Sequence, residues 1–203
     1  MSTALHNLQD RFPRMLAIVF TVFFVVLGID PISRQVWIAE VTPVILVFLL
    51  LVFTANRFRF SNVAYGFMAF WLFWHTVGGH YTFANVPFGL VTDLLGASRN
   101  HFDRIGHFSV GFYAFAIIEL LVKKYRLPLV FSCLFALFSI MSIAAGYEII
   151  EWWYAVADGG TAGAEFLGSQ GDIWDAQEDM LADTLGALFA IGSYLLLARY
   201  HKE

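Results

Sequence analysis

The chain has 203 residues, 59% of them hydrophobic and 14% charged, against roughly 45–50% and 25% in a soluble domain. Twenty-two Phe and six Trp are too many to hide, because a domain of ~200 residues still exposes about a quarter to a third of its surface. The composition is that of a polytopic membrane protein. A net charge of −4, no basic run and the lone cysteine Cys133 exclude a disordered chain, a nucleic-acid binder and an internally disulfide-bonded scaffold. Cys133 stands in an apolar run and reads as an inert buried thiol.

Six segments approach the ~20 residues of helix that span a bilayer core: 14–29, 36–55, 62–79, 105–122, 128–153 and 179–198. The first follows Arg11 and Arg14 as a signal peptide would. Gly28-Ile29-Asp30-Pro31 offers no small-x-small cleavage site, so it reads as an uncleaved anchor. Glu40 and Pro43 interrupt the second, whose apolar stretch 44–53 is short and fits a tilted or re-entrant helix. The fifth and sixth carry the strongest signal, with no charge over 129–147 and only Asp183 over 180–198. Two connections, 80–104 and 154–178, exceed twenty residues, a length usual for functional loops. Tyr81, Phe83, Phe88 and Phe102 suit the first of these to the interface. The second is Gly-rich and ends in an acidic run. There is no repeat of solenoid period and no second domain, so the fold expected is an all-α membrane bundle in one domain.

With six spans, one face of the membrane receives Arg11, Arg14, Arg57, Arg59, Lys123, Lys124, Arg126, Arg199 and Lys202, leaving Arg34, Arg99 and Arg104 on the other. The excess of basic residues predicts both termini in the cytoplasm. Only Asp10, Glu119 and Glu203 of the sixteen acids fall near the inner face.

Ionisable residues within spans are costly and mark function. Here they cluster. Span three brings His75 and His80; span four begins with His101, Asp103, Arg104 and His107; span five closes with Glu148 and Glu151; span six opens with Asp172, Asp175, Glu178, Asp179 and Asp183. All fall at the outer ends of their helices, so four helices deliver imidazoles and carboxylates to one depth. Asp103 with His107, Glu148 with Glu151 and Asp179 with Asp183 are three or four residues apart and share helix faces. Ala182, Gly186 and Ala190 form a small-residue stripe beside Asp179 and Asp183, suited to close helix packing.

Structural readings compete with functional ones. Asp172 and Asp175 fit first-turn acids favoured by the helix dipole, and Asp103 fits an ion pair with Arg104 as well as a functional role. His75 fits an interhelical hydrogen bond as well as metal ligation, and His101 fits the interface. Glu119 is expected to pair with Lys123 at i+4. The functional candidates are His107, which the in-phase Asp103 could orient for general-base work or ligation, with Glu148, Glu151 and Asp183. For a divalent metal the candidate ligands are His75, His107, Glu148, Asp179 and Asp183.

The stretches 75–82, 100–108, 147–153 and 171–186 resemble the YjdF-like inner-membrane family, in order and over nearly the whole chain. That family is a domain of unknown function, so the resemblance implies architecture and no reaction. A more distant similarity, confined to spans four to six, is to VanZ-like proteins associated with glycopeptide-antibiotic resistance and the cell envelope. Their Asp-Lys-x-x-His, Glu-x-x-Gln and Asp-x-x-x-Asn-x-x-Gly patterns fall on Asp103-Arg104-x-x-His107, Glu148-x-x-Glu151 and Asp179-x-x-x-Asp183-x-x-Gly186. Arg104, Glu151 and Asp183 depart from those patterns. The two added carboxylates make this site more acidic, which favours a bound cation or a shared proton.

Three functions fit. The first is metal-dependent or acid–base chemistry on a lipid or lipid-linked envelope substrate. The second is a proton-coupled transporter, for which the nearly apolar inner halves of the spans offer little path. The third is a non-catalytic envelope factor in which the polar cluster only ties helices together. No HExxH, Gly-x-Ser-x-Gly or phosphate-binding loop is present.

Overall fold

The computed structural model describes residues 2–87, 94, 96 and 99–200, with side chains from residue 11 to 199 among them. Phe88, Lys202 and Glu203 lie outside the described residues, as does the side chain of Asp10. Helices account for about four-fifths of the described residues, and no strand occurs among them. In order they are α1 (Ser2–Leu27), α2 (Arg34–Thr54), α3 (Asn62–Tyr81), a 3-10 turn (Phe83–Asn85), α4 (Phe102–Val110), α5 (Tyr113–Lys123), α6 (Leu129–Asp158), α7 (Thr161–Leu167) and α8 (Asp175–Tyr200).

Among the described residues four helical segments are long and apolar enough to cross a membrane: α2, α4 with α5 (Phe102–Lys123), α6, and α8 over Asp175–Arg199. The other two expected spans correspond to α1 and to α3, which has 20 residues but carries His75, Thr76, Gly78, Gly79 and His80. The second span differs from its sequence reading. α2 is one continuous helix, started by Ser33, whose hydroxyl accepts from the Val36 N–H, and it runs through both Glu40 and Pro43. Glu40 does not interrupt it because the carboxylate is buried against α3 and α6 rather than turned to lipid.

Small residues let the central helices approach closely. Ala64 and Met68 of α3, Ala114 and Ile118 of α5, Ala136 and Ile140 of α6, and Ala187 and Ala190 of α8 form the main core. Phe20, Val44, Trp71 and Leu72 join α1 and α2 to α3. The outward faces expose Leu46, Phe53, Val130, Phe138, Leu188 and Leu196. In water so much apolar surface would aggregate; against hydrocarbon it is the favoured contact.

One crossing sets the geometry of the polar end. A Cβ at Gly186 would fall on the Phe108 carbonyl, and a Cβ at Gly111 would fall on the backbone of Gly186 and Ala187. Backbone therefore meets backbone where α4 gives way to α5 at Gly111 and Phe112, and only glycine fits on either side. The small-residue stripe of the sixth span is thus used at Gly186 and at the fully buried Ala190. His107 stands one turn before Gly111, and Asp183 one turn before Gly186. The crossing fixes the imidazole and the carboxylate relative to each other.

Candidate functional site

His107 is the hub. Its Nδ1 lies 3.0 Å from Asp183 Oδ2. With Nδ1–H donating to that carboxylate, Nε2 carries the lone pair and faces Asp103 Oδ1 at 3.6 Å and Asp179 Oδ2 at 3.9 Å. One ligand-type atom from each of Asp103, His107 and Asp179 can be chosen so that all three lie within 4.8 Å of one another. This is the disposition of a metal-binding histidine: one nitrogen toward ligand oxygens, the other held by a second carboxylate that fixes tautomer and ring orientation. Three protein ligands is the number usual in catalytic rather than structural Zn²⁺ sites. Asp183, on α8 rather than on His107's own helix, is the orienting group; Asp103 stands on the opposite side of the ring.

Two arginines hold the rim. Arg104 reaches Glu178 at 2.6 Å, Asp179 at 2.7 Å, Asp175 at 3.1 Å and Asp172 at 3.3 Å. Arg99 meets Asp175 and lies 3.3 Å from Asp172 and 4.0 Å from Asp103. Asp172 does double duty, since its Oδ1 also accepts from the Trp174 N–H just before α8 begins. The planar fork of arginine suits such shared carboxylates. Even so, acids outnumber cations. Glu148 and Glu151 are buried on α6 and interact electrostatically with His107 and Asp103. Glu148 Oε1 and Asp183 Oδ1 have no hydrogen-bond partner. Buried acceptors left in that state cost free energy, which an added cation or donor would recover.

His75 and Glu148 are not in the three-ligand set. The His75 Nε2 lies 3.0 Å from Glu40 Oε2 and 3.1 Å from the Glu40 carbonyl, and the Tyr147 hydroxyl donates to the same Oε2 at 3.1 Å. The Tyr147 ring stands 6.4 Å, centroid to centroid, from His75 and from His107, so it lies between the two clusters. Sequence reasoning missed Glu40 as a site residue. The signal was available, because Glu40 is the one acid in an otherwise apolar span. His80 instead ties α3 to α1, its Nδ1 standing 2.7 Å from the Leu27 carbonyl.

Both clusters open on one cavity of about 360 Å³. Glu40, His75, Asp103, His107, Glu151 and Asp183 line its polar end, and apart from Trp71, Tyr113 and Tyr147 the remaining side chains on its wall are apolar. At the polar end α7 forms a roof: Asp158 accepts from the Gly160 and Gly163 N–H groups at its start, and Phe166 packs between Val36 of α2 and Tyr154 of α6.

A family model described as "Predicted membrane protein (DUF2238)" matches residues 12–203. The chain belongs to this membrane-protein family. It is also 40% identical over 192 residues to "Inner membrane protein YjdF" of Escherichia coli (strain K12), a match covering 91% of this chain and 88% of that protein. No solved structure matches. The YjdF-like resemblance read from the motifs is therefore a true family relationship, and the chain is a multi-pass inner-membrane protein. The VanZ-like similarity expected from the motifs of the last three spans is not shown by these comparisons. Membership of the DUF2238 family brings no reaction with it.

Proposed function

We propose that this DUF2238 member is a membrane-embedded enzyme that holds a divalent metal ion through Asp103, His107 and Asp179, with Asp183 orienting His107, and acts on a lipid or lipid-linked substrate of the cell envelope. The observation that carries the reading is the imidazole held on one side by Asp183 while its other nitrogen faces two carboxylates at the polar end of an apolar cavity. A bound Zn²⁺ or Mn²⁺ would supply Lewis acidity or a nucleophilic hydroxide. Glu151, at the cavity wall, is the general acid–base candidate beside it, with Glu148 behind.

The charge distribution supports six spans with both termini in the cytoplasm, which turns the site outward, toward the envelope. The reading is tested by metal analysis of the full chain purified in detergent. One equivalent of a divalent metal is expected in the wild type and little in His107→Ala. Equal, near-zero metal in both after incubation with Zn²⁺ and with Mn²⁺ overturns the metal site.

A further inference from the structure

The same cavity carries more information than its polar end. It follows α2 from Glu40 to Leu51 and α6 from Ile140 to Glu151, in each case about 16 Å at 1.5 Å per residue. That is close to one leaflet of the ~30 Å hydrocarbon core, so the cavity has the length of one acyl chain. Its walls change character in order. Glu40, His75, Asp103, Glu151 and Asp183 stand at the polar end, where Asp183 is 1% exposed and keeps an unpartnered Oδ1. One helical turn deeper on α3 is Trp71, buried, lining the cavity, with its Nε1–H unpartnered. Below it come Met68, Leu50, Leu51, Leu120 and Ile140. Acceptors, then a donor about 6 Å deeper, then hydrocarbon is the complement of a hydroxyl or ammonium head, an ester carbonyl and an aliphatic chain.

Access is from the side. Where Glu40 meets Tyr147, and at the roof made by α7, the helices α2 and α6 are bridged; taken as whole helices they pack against each other weakly at most. Leu50 and Ile143, one on each of these helices, both line the cavity and are both exposed on the lipid-facing surface. A chain can therefore enter between them without leaving the leaflet.

We infer that the cavity binds one glycerolipid taken laterally from the bilayer between α2 and α6, with an uncharged or zwitterionic donor-bearing head at the acidic end, the acyl ester at Trp71 and one chain along Met68 and Leu120. Heads of net negative charge are disfavoured because Glu40, Glu151 and Asp183 line the polar end in addition to the carboxylates that a divalent ion would neutralise. The inference deepens the proposed enzyme reading by naming the substrate class, and its test does not require turnover.

The full chain is purified in detergent, exchanged with mixed micelles containing equal phosphatidylethanolamine, diacylglycerol and phosphatidylglycerol, and its bound lipid is counted by native mass spectrometry. One phosphatidylethanolamine or diacylglycerol per chain is expected, at least about tenfold over phosphatidylglycerol, and whichever is held names the head. Ala144→Phe, which fills the cavity, should lower retention about tenfold or more, since excluding even two methylenes is worth that factor. Should Ala144→Phe fail to fold, Ile143→Trp narrows the lateral gap at an exposed position and should lower retention with the melting temperature unchanged. Preference for phosphatidylglycerol, or retention that neither variant reduces, overturns the inference. Metal measured in the same samples separates the two claims: lipid held without metal sinks the metal site alone, and metal held without lipid sinks the lipid site alone.

Discussion

Glu119 and Asp183 are both carboxylates with 1% of their surface exposed, set toward opposite ends of one bundle. Glu119 is closed on itself. It accepts from the Ser61 N–H at 3.0 Å and the Ser61 hydroxyl at 2.9 Å, and it pairs with Lys123 one turn along α5. Ser61 in turn caps α3, its hydroxyl accepting from the Ala64 N–H. Every group in that knot has a partner, and its effect is to fasten the start of α3 to α5. Asp183 spends one oxygen on His107 and leaves the other unpaired, among acids that exceed the nearby cations. A satisfied buried carboxylate is part of the frame; a surplus of unsatisfied ones is a demand for something else.

That contrast can be broken by measurement. Arg104→Ala should have the largest effect. Removing a guanidinium shared by four carboxylates leaves like charges facing one another and should lower unfolding stability by about 3 kcal/mol in chelator. A divalent ion at ~100 times its dissociation constant should restore roughly 2–3 kcal/mol of it. If added Zn²⁺ or Mn²⁺ restores nothing, the surplus acids are not a cation site. Glu119→Ala comes next, at about 2 kcal/mol, mostly from the stranded Ser61 donors because Lys123 is largely solvated. No cation should repair it, and metal content should stay at the wild-type value. A drop in metal would show the two ends to be coupled.

Asp183→Asn separates orientation from stability. Metal affinity should fall about 10–100-fold, while chelator-treated protein melts within about 0.5 kcal/mol of wild type, since a buried charge is removed and the amide oxygen can still accept, more weakly, from His107. Equal losses in affinity and stability would make Asp183 a structural group like Glu119. The smallest effect belongs to Tyr147→Phe, which deletes one hydrogen bond to Glu40 and should cost about 0.5–1.5 kcal/mol. Metal binding should not change.

Much of this was legible from residue type and spacing. Helical periodicity places Asp103 with His107 and Asp179 with Asp183, and the cost of charge in hydrocarbon predicts that they meet. Glu119 with Lys123 follows from i,i+4 geometry. What spacing cannot give is pairing between helices. His75 turns to Glu40 because α2 lies on that side of α3, a neighbour relation with no local sequence signal. Arg104 reaches four acids on and before α8 rather than Asp103 beside it, because a long side chain takes the strongest field available to it. The burial of Glu40 within α2 likewise depends on partners from other helices, His75 and the much more distant Tyr147.

The glycine crossing of α4 and α8 has a mechanical consequence. Membranes differ in thickness, and helices answer by tilting or shifting along the normal. Phe108 and Gly186 are interlocked backbone to backbone, so neither helix can slide past the other. Adjustment to a thinner or thicker bilayer therefore falls to tilting of α4 and α8 as one unit and to the helices around them. The distance between His107 and Asp183 is thereby insulated from the lipid composition around it.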